Sequence, residues 1–203
     1  VVSFATFTDE YLKAIAFLQE HHITSVAMEA TGVYWIALFD MLEAAGISVC
    51  LVNGRQVKNL PGRKSDVADC QWLQQLHAYG LLRPCFIPDD TIRQLRIYTR
   101  LRTDHLSMAS SHIQHMQKAF DLMNIKLHNV ISQLHGVSGM RIVNAILEGE
   151  RNPETLAELC EASILKHKRA LVIASLKGHY KAEHLFALRQ GKQAYEFYQR
   201  QIG

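Results

Sequence analysis

Apolar and polar positions alternate in two different rhythms along this chain. Residues 1–7, VVSFATF, are β-branched and aromatic and predict a strand. Tyr11, Leu12, Ile15, Ala16 and Leu18 then recur at helical spacing, with Thr8 placed as the N-cap. ITSVAME is a short apolar strand ending on a glutamate, ATG supplies a turn, and VYWIALFDMLEAAG is an amphipathic helix stopped by Gly46. ISVCLV predicts another buried strand, Asn53-Gly54 a turn, and Asp66 to about Leu82 a further helix. Strands alternating with helices predict an α/β layer with parallel strands over residues 1–90.

Beyond Pro84 and Pro88 no strand is predicted. Leu106, Ala109, Ile113, Met116, Phe120, Met123, Leu127, Val130 and Leu134 follow one another at 3-4 spacing, the a/d seam of a coiled coil. Gly136 and Gly139 end that seam, Ser138 is placed to cap the helix MRIVNAILE, and Gly149 closes it. Asn152-Pro153 opens another helix. A last one spans 181–202, with Leu185, Leu188, Tyr195, Tyr198 and Ile202 on one side and Gly191 as its weak point. Residues 91–203 are therefore expected to form an all-α coiled-coil module, which pairs either with a second copy through 106–134 or as an intrachain hairpin.

Composition narrows the class. With 48% hydrophobic and 20% charged residues among 203, the chain has the balance of a globular protein, not of a disordered one. No apolar run approaches the ~20 residues of a membrane span, and no secretory leader pattern is found, so a cytoplasmic protein away from membranes is expected. Cys50, Cys70, Cys85 and Cys160 form no CxxC pair and suit buried thiols better than zinc or disulfides. Net charge is only +3, so its distribution matters more than its sum. Arg55, Lys58, Arg63 and Lys64 make one basic cluster. Arg93, Arg96 and Arg100 make a helical stripe, with Arg102 nearby, and suit either phosphate contacts or a solvated helix face.

Three acids draw attention. Glu29 ends an apolar strand, where ligands collect in parallel α/β sheets; the alternative is a strand that stops at Met28 and leaves Glu29 solvated. Asp66 and Asp69 lie three apart at a helix start and face one way. Hard oxygen ligands at that spacing suit Mg²⁺, while capping and the helix dipole explain them equally simply. Their nearness to Arg63 and Lys64 favours phosphate handling.

"VAMEATGVYW" followed by "VNGRQVKNLPGRKSDVADCQWL" resembles the DEDD transposases of the insertion sequence one-ten family, relatives of the Piv/MooV invertases. "GVSGMRIVNAILEGERNPETLAEL" and "EHLFALRQGKQAYEFYQRQI" are similar to that family's helical middle. The resemblance implies an RNase H-like (RuvC-like) domain, here incomplete at its N-terminus, followed by the coiled-coil module. It implies a tetrad of Asp, Glu, Asp and Asp holding Mg²⁺, with Mn²⁺ as the alternative ion. Glu29 matches the glutamate, and Asp66 and Asp69 match the last two aspartates. The first aspartate, on a strand reading roughly Gly-Ile-Asp, and a C-terminal serine nucleophile have no counterpart, so the chain is expected to be a piece lacking both ends and inert alone. DNA and a structured guide RNA are the implied partners, and DNA strand cleavage and transfer the implied activity. The competing class is a non-catalytic module that dimerises by the seam and holds nucleic acid by its arginines.

Weaker signals remain. HGVSGMRIVNAIL echoes a helix-hairpin-helix, though Gly136 and Gly139 are more simply helix terminators. His21-His22 and His112/His115 lack an acid or cysteine to complete a metal site. Ser65 has no base partner and fits a capping role.

Overall fold

The computed structural model describes residues 2–57 and 66–203, which fall into two compact units, Val1–Pro88 and Asp89–Gly203. Taken together they are mostly helical, with one small two-stranded parallel sheet.

In the first unit, α1 (Thr8–Glu20) precedes β1 (Ser25–Glu29), α2 (Trp35–Ala44) and β2 (Ser48–Val52). A one-turn helix α3 (Gly54–Val57) and α4 (Asp66–Ala78) follow. Parallel strands need a crossover, and α2 supplies it. The register runs from Ser25 opposite Ser48 to Glu29 opposite Val52. Ile15, Leu42 and Ile47 are buried together, with Val26, Met28, Leu38 and Val49 packed around them. That cluster draws on one face of each helix and strand, as the apolar spacing requires. The outer side of β2 is partly satisfied by the extended segment after α4, where Cys85 N donates to Leu51 O at 2.6 Å.

Two expectations for this unit are corrected. Residues 2–7 are not a strand; Phe4 packs its ring on Phe17 of α1 at 5.9 Å and Phe7 is largely exposed, so the segment finds a helix rather than a ladder partner. Thr8 is the first residue of α1 rather than its cap, and Phe7 occupies the cap position with no side-chain bond. The Asn53-Gly54 turn continues directly into α3, held by Arg55 N donating to Asn53 Oδ1 at 3.0 Å.

The second unit opens with α5 (Asp90–Leu122), capped by Asp89, whose Oδ1 accepts from Ile92 N at 3.0 Å. A 3-10 turn (Leu127–Asn129), α6 (Val137–Glu148), α7 (Pro153–Ala157), α8 (Ala162–Ser175) and α9 (Ala182–Ile202) complete it. The 106–134 seam is not one helix. α5 stops at Leu122, Asn124 adopts a left-handed φ of 56°, and Ile125 N donates back to Phe120 O at 2.8 Å. Met123, Leu127, Val130 and Leu134 are buried as the seam required, but beyond the helix end, where the chain has reversed. Heptad spacing persists because each of those residues enters the same core, not because the helix does.

The core gathers Met116, Phe120, Met123, Ile142, Ile146, Leu156, Val172 and Leu188. α9 runs antiparallel along α5: Gly191 meets Met116, while Tyr198 reaches back to His112 and His105. Gly191 is thus no weak point. A Cβ there would lie 3.1 Å from Met116 Cγ, so its absence permits the close approach of the two helices. Ser138 does not cap α6; it is buried, and its Oγ accepts from Glu161 N at 3.0 Å. Gly136 is the N-cap of α6 and Gly139 lies in its first turn, so these glycines begin a helix rather than end one. Asn152 caps α7 as expected, accepting from Glu154 N and Thr155 N with Pro153 in the first turn. α8 had no clear signal, since its apolar residues alternate with Lys166, Lys168 and Arg169.

His112 stacks on Tyr198 with ring centroids 5.7 Å apart and planes 16° from parallel, and His115 approaches its edge at 5.3 Å. Burial first, and His115 second, hold the His112 pKa below its ordinary 6.5. A histidine with a lowered folded pKa binds protons more readily when unfolded. Its contribution to stability is therefore complete above about 6.5 and is lost as pH falls from there towards the folded value. Of the other titratable groups nearby, Lys118 lines the same pocket as His112 and His115, and His105 packs on the far side of the shared partner Tyr198. His112→Phe keeps the stacking and removes the titration, so urea midpoints should fall less between pH 7 and pH 5 than in the parent. Parallel pH profiles for the two proteins would refute this.

Candidate functional site

Glu29 is the last residue of β1, at the carboxyl end of both parallel strands. Two of its described neighbours bear on its side chain. Thr31 Oγ1 donates to Glu29 Oε1 at 2.8 Å; Ala30 N still donates across to Val52 O, and the chain then turns as Thr31 N donates to Glu29 O at 3.0 Å. Gly54 lies two residues beyond Val52, the register partner of Glu29. A Cβ at Gly54 would lie 2.1 Å from Glu29 Oε1 and 2.5 Å from Cδ, so the carboxylate occupies the space that any other residue would fill. The alternative of a strand stopping at Met28 is thereby excluded: Glu29 belongs to the ladder, is half-buried and is held.

α4 packs beside β1, and His77 in its last turn bonds Ser25, the first residue of β1, through Nε2 and Oγ at 2.7 Å. Asp66 is the first residue of α4, and its carboxylate lies outside the described atoms. Asp69 is exposed one turn on. Among the described residues, no three His, Cys, Asp or Glu side chains are gathered closely enough to hold a metal ion. Glu29 and Asp69 are thus both described, but not as parts of one such cluster.

The basic residues divide. Arg55 is exposed immediately after Gly54. Lys58, Arg63 and Lys64 lie outside the described residues, as does Ser65. Arg93 is ion-paired with Asp90 in the first turn of α5, while Arg96 and Arg100 are exposed further along the same helix. Ile97 and Tyr98 stand between them and Leu101 just beyond, all at least half exposed. No helix among the described residues is long and apolar enough to cross a membrane.

Sequence reasoning missed Thr31 and Gly54. The signal lay in the chain, as a hydroxyl two residues after the strand-ending acid and a glycine just past the next strand. Reading it required the parallel register.

Residues 2–125 match the family model of the DEDD transposases of the insertion sequence one-ten (IS110) type, described as a transposase, and the match takes in Glu29, Asp66 and Asp69. No curated protein matches the chain.

Proposed function

Because the chain belongs to the DEDD transposases of the insertion sequence one-ten family, we propose that Glu29, Asp66 and Asp69 are the carboxylates at which DNA strand cleavage and transfer take place, on an RNase H-like (RuvC-like) domain within residues 1–90. The observation that carries this reading is the seated Glu29 carboxylate at the carboxyl end of the parallel strands. An apolar strand does not end in a fixed, half-buried acid without a purpose for it, since that burial is costly.

Lengths support the convergence of the aspartates. His77 is tied to the start of β1, and eight residues of helix back to Asp69 span about 12 Å. Four residues of strand from Ser25 to Glu29 span about 13 Å. A helix running antiparallel to β1 from that anchor would bring Asp69 abreast of Glu29.

The donors are hard carboxylate oxygens, and this set fits Mg²⁺, with Mn²⁺ as the alternative. Such an ion, when bound, supplies charge stabilisation to the attacking and leaving oxygens of a phosphodiester. The chain's own part is positional. Thr31 holds the Oε1 rotamer, and the ladder fixes the height of Glu29 above the sheet. Arg55, Lys58, Arg63 and Lys64 guide the phosphate backbone, while Arg96 and Arg100 on α5, with Arg93 braced by Asp90, offer contacts of their own to DNA and to a guide RNA. Self-association uses the exposed α5 side chains Leu106, Met108 and Leu122, because Ala109 and Met116 are already buried within the chain. The setting is cytoplasmic, where the element's DNA lies.

Asp69→Asn in a full-length version of the protein tests the reading. Cleavage of element-end DNA in Mg²⁺ should fall by roughly a hundredfold or more, with DNA binding within about twofold of the parent. Equal cleavage by the variant would sink the assignment. The rival, a non-catalytic binding module, predicts affinity governed by salt alone and indifferent to Mg²⁺.

A further inference from the structure

The turn that follows Glu29 carries a feature that cleavage chemistry does not use. Tyr34 is 80% exposed and Val33 70% exposed, side by side, three and two residues after Thr31. Tyr34 N donates to Thr31 O at 3.3 Å, so the ring and the hydroxyl that holds Glu29 belong to one closed turn. Gly32 adopts φ +54°, and a Cβ built on it would lie 3.5 Å from both Cδ2 and Cε2 of Tyr34. The ring therefore lies beside Gly32, and most of it faces solvent. The next residue, Trp35, does the opposite and turns onto Phe39 at 5.5 Å, edge to face. Arg55 follows Gly54, whose α-carbon lies against the same Glu29 carboxylate, and is itself exposed.

A single exposed tyrosine needs no explanation. An exposed aromatic ring on the same turn as an acid read as handling phosphate, with an exposed cation one residue past the glycine that meets that acid, has the make-up of a nucleotide subsite. Bases stack on such faces irrespective of sequence, while the cation takes the phosphate. We propose that Tyr34, flanked by Val33, is a stacking platform for an unpaired DNA base next to the phosphate handled at Glu29, with Arg55 on that base's backbone. The inference rests on the DNA-cleaving reading given above and adds where the strand is gripped. It also requires the DNA near the scissile phosphate to be unpaired, since a paired base cannot offer its face to Tyr34.

The test uses the full chain in EDTA, so that no cleavage intervenes, and a DNA hairpin whose overhang carries 2-aminopurine. Binding should quench the 2-aminopurine. Tyr34→Ala should weaken binding about tenfold and remove the quench, while Tyr34→Phe keeps both. Arg55→Ala should weaken binding, flatten its salt dependence and leave the quench in place. An unquenched parent complex, unchanged quench and affinity in Tyr34→Ala, equal affinity for fully paired DNA, or preference for an RNA of the same sequence would each overturn the proposal. Circular dichroism checks that the variants fold, and exposure of the ring gives no reason for them to fail. Asp69→Asn should match the parent in this assay and differ only in cleavage. A lost stacking readout with Asp69-dependent cleavage intact therefore overturns the platform alone.

Discussion

Replacing Glu29 by glutamine in a full-length version of the protein should lower Mg²⁺-dependent strand cleavage by roughly two to three orders of magnitude, with DNA affinity almost unchanged. The substitution keeps the shape of the side chain and its bond from Thr31, and removes only the charge. A graded series sharpens the point. Gly54→Ala puts a methyl where Oε1 now lies, 2.1 Å away, so the carboxylate must swing aside. A side-chain end can do so cheaply, and no positive φ is recorded at Gly54, so the fold should tolerate the change. Displacing a ligand without deleting it should cost about 10- to 100-fold in activity, much of it recoverable at higher Mg²⁺. Thr31→Val should behave similarly, and Thr31→Ser should restore function. Glu29→Gln, by contrast, should not be rescued by more metal. Stopped-time cleavage across a Mg²⁺ titration separates these outcomes. Full activity in Glu29→Gln would remove Glu29 from the site.

Gly139→Ala should cost the second unit more than about 3 kcal/mol, enough to lower its thermal midpoint by about 10 °C or more. A Cβ at Gly139 would lie 2.1 Å from Leu134 O, 2.7 Å from Leu134 C and 2.9 Å from Leu134 Cα. These are backbone atoms and cannot rotate away. The only relief is to move the start of α6 off the loop beneath it, which opens the core around Ile142 and Leu134. Gly191→Ala offers the contrast within the same unit. Its nearest neighbour is a flexible methionine side chain at 3.1 Å, and the cost there should be much smaller. Comparable midpoints for the two variants would show that the backbone argument is wrong.

The readable parts of this fold are those where one short segment decides its own state. The Ser25–Glu29 and Ser48–Val52 strands, the α2 crossover and the Asn152-Pro153 start of α7 all declare themselves through local spacing and end residues. Residues 2–7 misled because strand propensity describes fit to a pleated neighbour, and no such neighbour is found among the described residues. The long seam misled for a subtler reason. Apolar spacing reports which residues are buried, and it was right about Met123, Leu127, Val130 and Leu134; it does not report whether the helix survives between them. At the site, Glu29 was legible as an acid ending an apolar strand. Its partners were not, because Gly54 meets it only through the pairing of Glu29 with Val52, a contact between segments far apart in the chain.

The pairing of α5 with α9 also sets an order of events during synthesis. Met116 and Gly191 close on each other only after the intervening α6, α7 and α8 have been made. At about 5–20 residues per second, several seconds pass between the two helices leaving the ribosome. Through that interval the apolar stripe of α5 has no permanent cover, and closing so long a loop is slow in its own right. Newly made α5 is thus open to chaperones, to neighbouring nascent chains and to proteases until α9 arrives to cover it.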